Sequence, residues 1–194
     1  MEKLICASKS LYRQNVLKSL QIPFIAVAAD IDESVFDCFE PEDRPLKLAQ
    51  KKVEQILLLK KFNNNYILGA DTLIVHKGKA LGKPTDAENA KQYLKALSGS
   101  THHVISAICL YNPHTAKTAV RMCNTAVTFA ELTDPAIDSY IAPGEWVGAA
   151  GAYRIQGRAE IFIKKIEGSY SCVAGLPIFE LYDILKKQKF FEQS

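Results

Sequence analysis

The sequence predicts an α/β domain with a mixed sheet, and three observations on its 194 residues support this. Short apolar and β-branched runs alternate with segments whose apolar residues recur at helical spacing. Two long β-rich runs flank one turn near the middle of the chain, which is typical of an antiparallel hairpin. Hydrophobic residues make up 48% of the chain and charged residues 23%. These values are close to the globular average and exclude long disordered, collagen-like and coiled-coil designs.

The first part of the chain predicts strands separated by helices. Ser8-Lys9-Ser10 suits a helix N-cap between the first strand and the first helix, and Pro23 ends that helix. An acidic loop over residues 30–34 precedes a long helix, and Lys77-Gly78 makes a tight turn after the third strand. The predicted strands cover 4–7, 24–29 and 66–76, the turn leads into Ala80-Leu81, and the predicted helices cover 11–20 and 46–62.

The second part begins with a capping-box pattern, in which Thr85 is followed three residues later by Glu88. Asp134 is the predicted cap of a later helix, with Pro135 in its first turn. The predicted helices cover 87–97 and 176–187, and another starts at Thr133-Asp134-Pro135. The predicted strands cover 103–110, 118–129 and 161–166, and a glycine-rich irregular segment covers 143–157. The resulting order, βαβαβαββαβα, favours a mixed sheet.

Charge, cysteine content and hydropathy limit the class of protein. The formal net charge of +3 is too small to indicate a nucleic-acid partner. The five cysteines are scattered and include no Cys-x-x-Cys pair, so neither a disulfide framework nor a zinc site is predicted. No apolar stretch approaches the length of a membrane span, and the apolar run after Met1 is too short for a signal peptide. These features predict a cytoplasmic protein with no nucleic-acid or membrane partner.

A first candidate site lies at the connection between the first strand and the first helix. Ser8 and Ser10 offer hydroxyls there, and Arg13 offers a guanidinium. Backbone N–H groups at a helix N-terminus, together with such side chains, bind phosphate well. The alternative is that the two serines only cap the helix and that Arg13 is solvated.

A second candidate is Asp71-Thr72, which interrupts an otherwise apolar strand. A carboxylate in apolar surroundings needs a hydrogen bond, a cation or a metal, and such positions are frequently functional. Asp30, Asp32 and Glu33 are further carboxylates that could join Asp71 around Mg²⁺. The alternatives are a buried aspartate satisfied by backbone groups and a solvated acidic loop.

Two lysines and one glutamine complete the candidates. Lys83 lies between Gly82 and Pro84 on a short connection, and Lys52 lies on the long helix; both could bind phosphate as point charges, although most lysines only add surface charge. Gln156, in a segment rich in glycine and aromatic residues, could offer a donor and an acceptor to a base edge, or be structural. The sequence lacks the P-loop, dinucleotide-binding, zinc-protease and nucleophile-elbow motifs.

Taken together, these segments resemble the Maf family of nucleotide pyrophosphatases over nearly the whole chain. The motifs that carry the resemblance are Ala7-Ser8-x-Ser10-x-x-Arg13, Asp32-Glu33, Leu48-Ala49-x-x-Lys52, Gly69-Ala70-Asp71-Thr72, Leu81-Gly82-Lys83-Pro84, Leu97-Ser98-Gly99-x-x-His102-x-Val104, Gly144-Glu145-Trp146, Ala150-Gly151-Ala152-Tyr153-x-Ile155-Gln156-Gly157, Gly168-Ser169-Tyr170 and Val173-x-Gly175-Leu176-Pro177. The resemblance implies one domain over residues 1–194, with a strongly twisted mixed sheet, flanking helices and a central nucleotide cleft, as in inosine triphosphatases. The Ala-Asp-Thr and Ala-Gly-Ala-Tyr-x-Ile-Gln-Gly versions are similar to the branch that acts on dTTP and UTP.

The resemblance also implies an activity and a role for each candidate. The family hydrolyses nucleoside triphosphates to the monophosphate and pyrophosphate with a divalent cation, Mg²⁺ or Mn²⁺, and a homodimer is its implied assembly. Asp71 would accept the proton of the attacking water and, with Glu33, hold the metal. The residues that would bind the phosphates are Ser8, Ser10, Arg13, Lys52 and Lys83, and those that would select the base are Tyr12, Thr72 and Gln156.

Two positions depart from the usual family pattern. Ser10-Leu11-Tyr12-Arg13 stands where the family usually has Ser-Pro-Arg-Arg, so Tyr12 replaces a basic side chain, and Ala149 stands where a lysine is common. Arg154 and Arg158 are nearby cations that could restore the charge. The alternative activities are a pyrophosphatase for 7-methyl-GTP or another modified nucleotide, and a nucleotide-binding regulator of cell division in which catalysis is lost.

Overall fold

The computed structural model describes residues 3–192 and confirms the α/β class with a mixed sheet. The strands are β1 (Leu4–Cys6), β2 (Phe24–Ala26), β3 (Ile67–His76), β4 (Lys79–Leu81), β5 (Thr101–Asn112), β6 (Lys117–Phe129) and β7 (Ile163–Glu167). The helices are α1 (Leu11–Ser19), α2 (Arg44–Leu58), α3 (Ala87–Leu97), α4 (Asp134–Ile141), α5 (Tyr170–Ala174) and α6 (Ile178–Lys187). Short 3₁₀ turns lie between some of them.

The seven strands form one sheet in the order β2-β1-β3-β5-β6-β7, and β4 pairs with β3 beside this path. Strand β1 runs parallel to both β2 and β3. The pairs β3–β4, β3–β5, β5–β6 and β6–β7 are antiparallel, and β5–β6 is the predicted long hairpin. The sheet is therefore mixed, with its parallel part at the N-terminal end of the chain.

Strand β3 has one edge that is only partly covered. Strand β5 pairs with residues 67–75 on the other edge. On the open edge, β1 pairs with residues 67–68 and β4 with residues 74–76. Within the described part of the chain, residues 69–73 consequently have no strand partner on this edge. Asp71 and Thr72 lie at the centre of this gap.

Helices cover both faces of the sheet around β3. Ile67 packs on one face against Ala49, Val53 and Ile56 of α2. Leu68 packs on the other face in a cluster that contains residues of α1 and α6. Because successive side chains of a strand point to opposite faces, Asp71 lies on the α2 face and Thr72 on the α1 face.

Several predicted boundaries were wrong. The long helix was predicted over 46–62, but α2 ends at Leu58 because Lys60 has a left-handed φ of 57°. Strand β2 stops at Ala26 instead of residue 29, and Pro177 caps α6, so that helix begins two residues later than predicted. Strand β7 begins at Ile163, since a 3₁₀ turn occupies Arg158–Phe162.

Other differences concern caps and short helices. Asp86, not Thr85, caps α3 by accepting a hydrogen bond from Asn89 N at 2.8 Å, so the predicted capping box does not form. Thr133, not Asp134, caps α4. The predicted order omitted β4 and α5, and the predicted acidic loop partly folds into a 3₁₀ turn at Glu33–Phe36. Within residues 3–192 no helix is long and apolar enough to cross a membrane.

Candidate active site

A cleft of about 540 Å³ opens at the uncovered edge of β3. Its lining comes from β3, the connection after β4, the 3₁₀ turn after Asp32 and helix α2. The lining residues are Glu33, Ser34, Phe36, Asp37, Arg44, Leu48, Asp71, Thr72, Leu73, Ala80, Gly82, Lys83 and Ala150. The predicted central cleft is therefore present. It forms because β1 and β4 pair with the two ends of this edge of β3 and leave residues 69–73 between them without a strand partner in the described chain.

A close approach of helix to strand places a lysine beside Asp71. A Cβ atom on Gly69 would lie 2.1 Å from the carbonyl oxygen of Ala49, so only glycine lets α2 come this near to β3. Lys52 follows Ala49 by three residues on one helix face, and Asp71 follows Gly69 by two residues on one strand face. The two side chains therefore meet, and Lys52 Nζ lies 2.6 Å from Asp71 Oδ1.

Lys52 also connects Asp71 to a second carboxylate. Its Nζ lies 3.2 Å from Glu33 Oε1, and the Nζ of Lys83 lies 3.7 Å from Glu33 Oε2. Lys52 and Asp71 are buried, with 8% of each residue exposed. Glu33 and Lys83 are more open, with 45% and 63% of their side chains exposed. The structure thus brings together four predicted residues as two carboxylates and two ammonium groups.

The two carboxyl groups have pKa values shifted in opposite directions. Burial raises the pKa of Asp71, against the attraction of Lys52 and Arg13. Partial burial also acts to raise the pKa of Glu33, but the ammonium groups of Lys52 and Lys83 outweigh it and lower this pKa. A raised pKa makes the Asp71 carboxylate a stronger base, whereas the lowered pKa of Glu33 favours its ionised form.

Arg13 approaches the gap from the other face of the sheet. Its Nε donates to the carbonyl of Gly175 at 2.8 Å, its Nη1 to Ser8 Oγ at 3.1 Å and its Nη2 to Thr72 Oγ1 at 3.3 Å. These bonds use three of the five guanidinium N–H groups and fix its plane. Arg13 is also near enough to act electrostatically on Asp71 and Glu33.

The predicted serines lie at the start of α1. Ser10 is the N-cap, and its Oγ accepts from Arg13 N at 3.4 Å, as predicted. Ser8 Oγ accepts from Ser10 N at 3.2 Å as well as from Arg13. The helix N-terminus, the two hydroxyls and the guanidinium therefore lie in one place, which is the arrangement expected of a phosphate-binding site. The capping alternative holds for Ser10, but Arg13 is not solvated, because its guanidinium donates to Gly175, Ser8 and Thr72.

Tyr12 and Gln156 occupy different surroundings from the other predicted residues. Tyr12 is half-buried against the core cluster of α1 and α6, and burial together with Tyr170 raises the pKa of its phenol. Gln156 is exposed and lies outside the set of described residues that line the cleft. Arg154 donates to the carbonyls of Glu145 and Val147, so it braces a loop.

Sequence reasoning missed Ser106 and the carbonyl of Gly175. Ser106 is fully buried on β5 and stands directly opposite Thr72 in the strand register. The available signal was a lone hydroxyl in the apolar run of residues 104–110. Gly175 was quoted only as part of a motif, and a backbone acceptor leaves no signature in side-chain chemistry.

The donor set fits a hard divalent cation. Asp71 and Glu33 supply carboxylate oxygens close together, since one oxygen of each contacts the ammonium of Lys52, which occupies the point between them. Mg²⁺ is commonly bound by one or two carboxylates, with water and substrate phosphates completing its shell. Asp32 caps the 3₁₀ turn through a hydrogen bond from Ser34 N, so it does not join this pair. Among the described residues there is no group of three or more acidic, histidine or cysteine side chains that could hold a metal by themselves.

Comparisons with known proteins agree with the resemblance. The family model described as Maf-like protein matches residues 3–188. A dTTP/UTP pyrophosphatase of Treponema denticola is 40% identical over 98% of this chain and 98% of its own. Proteins of the same name from Geotalea uraniireducens and a Geobacillus species are each 39% identical, over 97% and 92% of this chain and 96% and 94% of their own.

Among solved structures, a HAM1 protein from Coxiella burnetii gives a TM-score of 0.39 at 18% identity, over 68% of this chain and 75% of that one. This similarity is too low to carry an argument about the site. The family model, by contrast, spans nearly all described residues, and the relatives match at high coverage. The chain belongs to the family of Maf-like proteins.

Proposed function

We propose that this protein hydrolyses nucleoside triphosphates, with dTTP and UTP preferred, to the nucleoside monophosphate and pyrophosphate. The observation that carries the proposal is a buried carboxylate with a raised pKa, Asp71, at an unpaired strand edge of the described chain and near the Arg13 guanidinium. The name of the relatives, dTTP/UTP pyrophosphatase, supports the substrates. The protein is accordingly a hydrolase that acts on an acid anhydride.

Asp71 accepts the proton of the attacking water. Its raised pKa increases its affinity for that proton, and the neighbouring Lys52 keeps it ionised in the resting site. Lys52 holds Asp71 by a 2.6 Å contact, so the carboxylate has one fixed orientation toward the cleft. Water activation therefore also depends on the α2–β3 contact that brings Lys52 to this carboxylate.

The triphosphate binds at the N-terminus of α1 and at the mouth of the cleft. Arg13, Ser8 and Ser10 provide N–H and O–H donors on one side, and the exposed ammonium of Lys83 provides charge on the other. Lys52, which is buried on α2 beside Asp71, adds further positive charge. Phosphoryl transfer needs mainly positioning and charge stabilisation, and these groups supply both.

Asp71 and Glu33 are the residues that would hold a divalent cation, Mg²⁺ or Mn²⁺. Such a cation, when bound, neutralises phosphate charge and makes bound water more acidic. The lowered pKa of Glu33 favours the charged carboxylate that this purpose needs. The two lysines beside Glu33 hold its side chain near the cleft.

Thr72, Tyr12 and Gln156 select the base in this proposal. Hydrogen-bonding groups of a site reject a base that leaves them unpaired, which is a strong form of discrimination. Thr72 lines the cleft, whereas Gln156 stands outside it. Gln156 can therefore contact the base only if the base extends beyond the cleft. Separate variants at Gln156 and at Thr72 measure how much each residue contributes to base selection.

The remaining parts of the proposal concern organisation. One domain over residues 1–194 is supported by the continuous sheet from β1 to β7. A cytoplasmic location is supported by the five cysteines, all of which are free. A homodimer follows from the resemblance, and sedimentation velocity measures it directly.

The test is pyrophosphate release from dTTP, UTP, CTP, GTP and 7-methyl-GTP, with Mg²⁺, with Mn²⁺ and with chelator. Asp71→Asn should abolish release and leave nucleotide binding largely intact. Asp183→Asn is the matched control, because Asp183 is ion-paired to Arg121 and Lys187 away from the cleft. Release by Asp71→Asn at the wild-type rate would refute the assigned base, and release strongest with 7-methyl-GTP would refute the substrate class.

A further inference from the structure

We infer that Ser106 is a positioning residue that orders Arg13 by fixing the proton of the Thr72 hydroxyl and the carbonyl end of α5. The inference rests on the proposed function of Arg13 as a phosphate ligand. Ser106 lies on β5 behind the cleft, is fully buried, and stands opposite Thr72, whose Oγ1 lies 2.7 Å from its own Oγ.

Two short hydrogen bonds define the proton arrangement. Ser106 Oγ lies 2.7 Å from the carbonyl oxygen of Cys172 and 2.7 Å from Thr72 Oγ1. A carbonyl only accepts, and a serine hydroxyl has one proton. Ser106 therefore donates to Cys172, and Thr72 must donate to Ser106 for both short contacts to be hydrogen bonds.

This arrangement makes Thr72 an acceptor on the side that faces Arg13. Since its only proton is given to Ser106, Thr72 Oγ1 presents lone pairs, and Arg13 Nη2 donates to them at 3.3 Å. The carbonyl of Gly175, 3.3 Å from Thr72 Oγ1, is then left to Arg13 Nε at 2.8 Å. Without Ser106 the Thr72 proton would turn to Gly175 as the next acceptor.

Ser106 also holds the backbone that carries Gly175. The Cys172 carbonyl accepts both from Ser106 and from Gly175 N, the latter at 3.1 Å. Gly175 ends α5 with a left-handed φ of 109°. Two of the three acceptors of Arg13, Thr72 Oγ1 and the Gly175 carbonyl, thus depend on one buried hydroxyl, and the third is Ser8.

The test compares Ser106→Ala with Thr125→Val. Thr125 is an equally buried hydroxyl on the next strand, and it holds the opposite end of α5 through Ser169 N and the Ser169 carbonyl. Both variants lose buried hydrogen bonds and should lose comparable stability in urea unfolding. Ser106→Ala should lower kcat/KM with dTTP by at least about tenfold, since a hydrogen bond to a charged group is disturbed. Thr125→Val should keep the wild-type value.

A double-mutant cycle with Arg13→Ala separates positioning from general destabilisation. If Ser106 acts through Arg13, Ser106→Ala should change kcat/KM little in the Arg13→Ala background. Additive losses in the double variant would overturn the inference, as would equal losses in Ser106→Ala and Thr125→Val.

Binding of inorganic tripolyphosphate, measured by calorimetry, keeps this inference distinct from the proposed function. If the wild-type protein hydrolyses no nucleotide, the proposed function is refuted. The role of Ser106 is then tested by tripolyphosphate affinity alone. Weaker tripolyphosphate binding by Ser106→Ala than by wild type and Thr125→Val supports the inference. Equal affinity of the three proteins, including no binding by any of them, overturns it.

Discussion

Replacing Gly69 by alanine tests whether the close approach of α2 to β3 positions the candidate base. The new Cβ atom would lie 2.1 Å from the Ala49 carbonyl oxygen and 3.0 Å from Val53 Cγ2. Relief of the first contact requires a separation of helix and strand by about 1 Å, given ordinary non-bonded distances. Neither neighbour is the far end of a flexible side chain, so the helix itself must move.

The displacement reaches the site through Lys52, which lies one turn from Ala49 on α2. We expect the 2.6 Å contact between Lys52 and Asp71 to lengthen and the carboxylate to lose its fixed orientation. A misplacement of about 1 Å can cost about 10²-fold in rate, and overpacking of a core costs about 1–3 kcal/mol of stability. Gly69→Ala should therefore show both a large loss of kcat/KM with dTTP and a lower urea midpoint.

Gly78→Ala is the matched control for this experiment. Gly78 has a φ of 72°, and a Cβ atom added to it would meet no atom within 4 Å, so its substitution costs about 1 kcal/mol of backbone strain without moving α2. The control should lose stability and keep its activity at a temperature where it is folded. A folded Gly69→Ala protein with the activity of Gly78→Ala would refute the reasoning.

Two further predictions concern pH. Lys52 lowers the pKa of Asp71 against the effect of burial, and Asp71 works as the ionised base, so Lys52→Met should move the acidic limb of the kcat/KM profile to higher pH; an unmoved limb, or an equal shift in the surface control Lys91→Met, would contradict this. The second prediction concerns His102. Burial, together with the charges of His76 and His103, lowers its pKa from 6.5 to about 3, so between these pH values the unfolded chain binds a proton at His102 and the folded protein does not. The free energy of unfolding therefore carries no penalty from His102 above pH 6.5. It decreases as the pH falls from 6.5 toward about 3, because only the unfolded chain binds the proton in that range. Between pH 7 and pH 5 the wild type should lose about 2 kcal/mol more than His102→Gln in urea unfolding, and parallel pH profiles would refute the assignment.

The sequence predicted those parts of the fold and site that leave a local signal, such as a polar residue within an apolar run or a turn between two β-rich runs. Asp71-Thr72 stood out because a carboxylate in an apolar strand needs a partner, and the structure supplies that partner in Lys52. The β5–β6 hairpin followed from two long β-rich runs around one turn. The N-cap at Ser10 was predictable because Ser8-Lys9-Ser10 are short polar residues between an apolar strand and a helical pattern.

Other features depend on contacts between distant segments, and local patterns do not record them. Thr85 and Asp86 are both good caps, and only the final chain path selects Asp86. Helix α5 has five residues, too few to show a helical period. The pairing of Ser106 with Thr72 follows from strand register across 34 residues, so it was invisible without the sheet.

The most direct test of the central claim is the identity of the products of dTTP hydrolysis, followed by ³¹P NMR. The account predicts dTMP and pyrophosphate in equal amounts with wild-type protein and Mg²⁺, and neither with Asp71→Asn. Formation of dTDP and inorganic phosphate, or equal turnover by the Asp71→Asn variant, would contradict it.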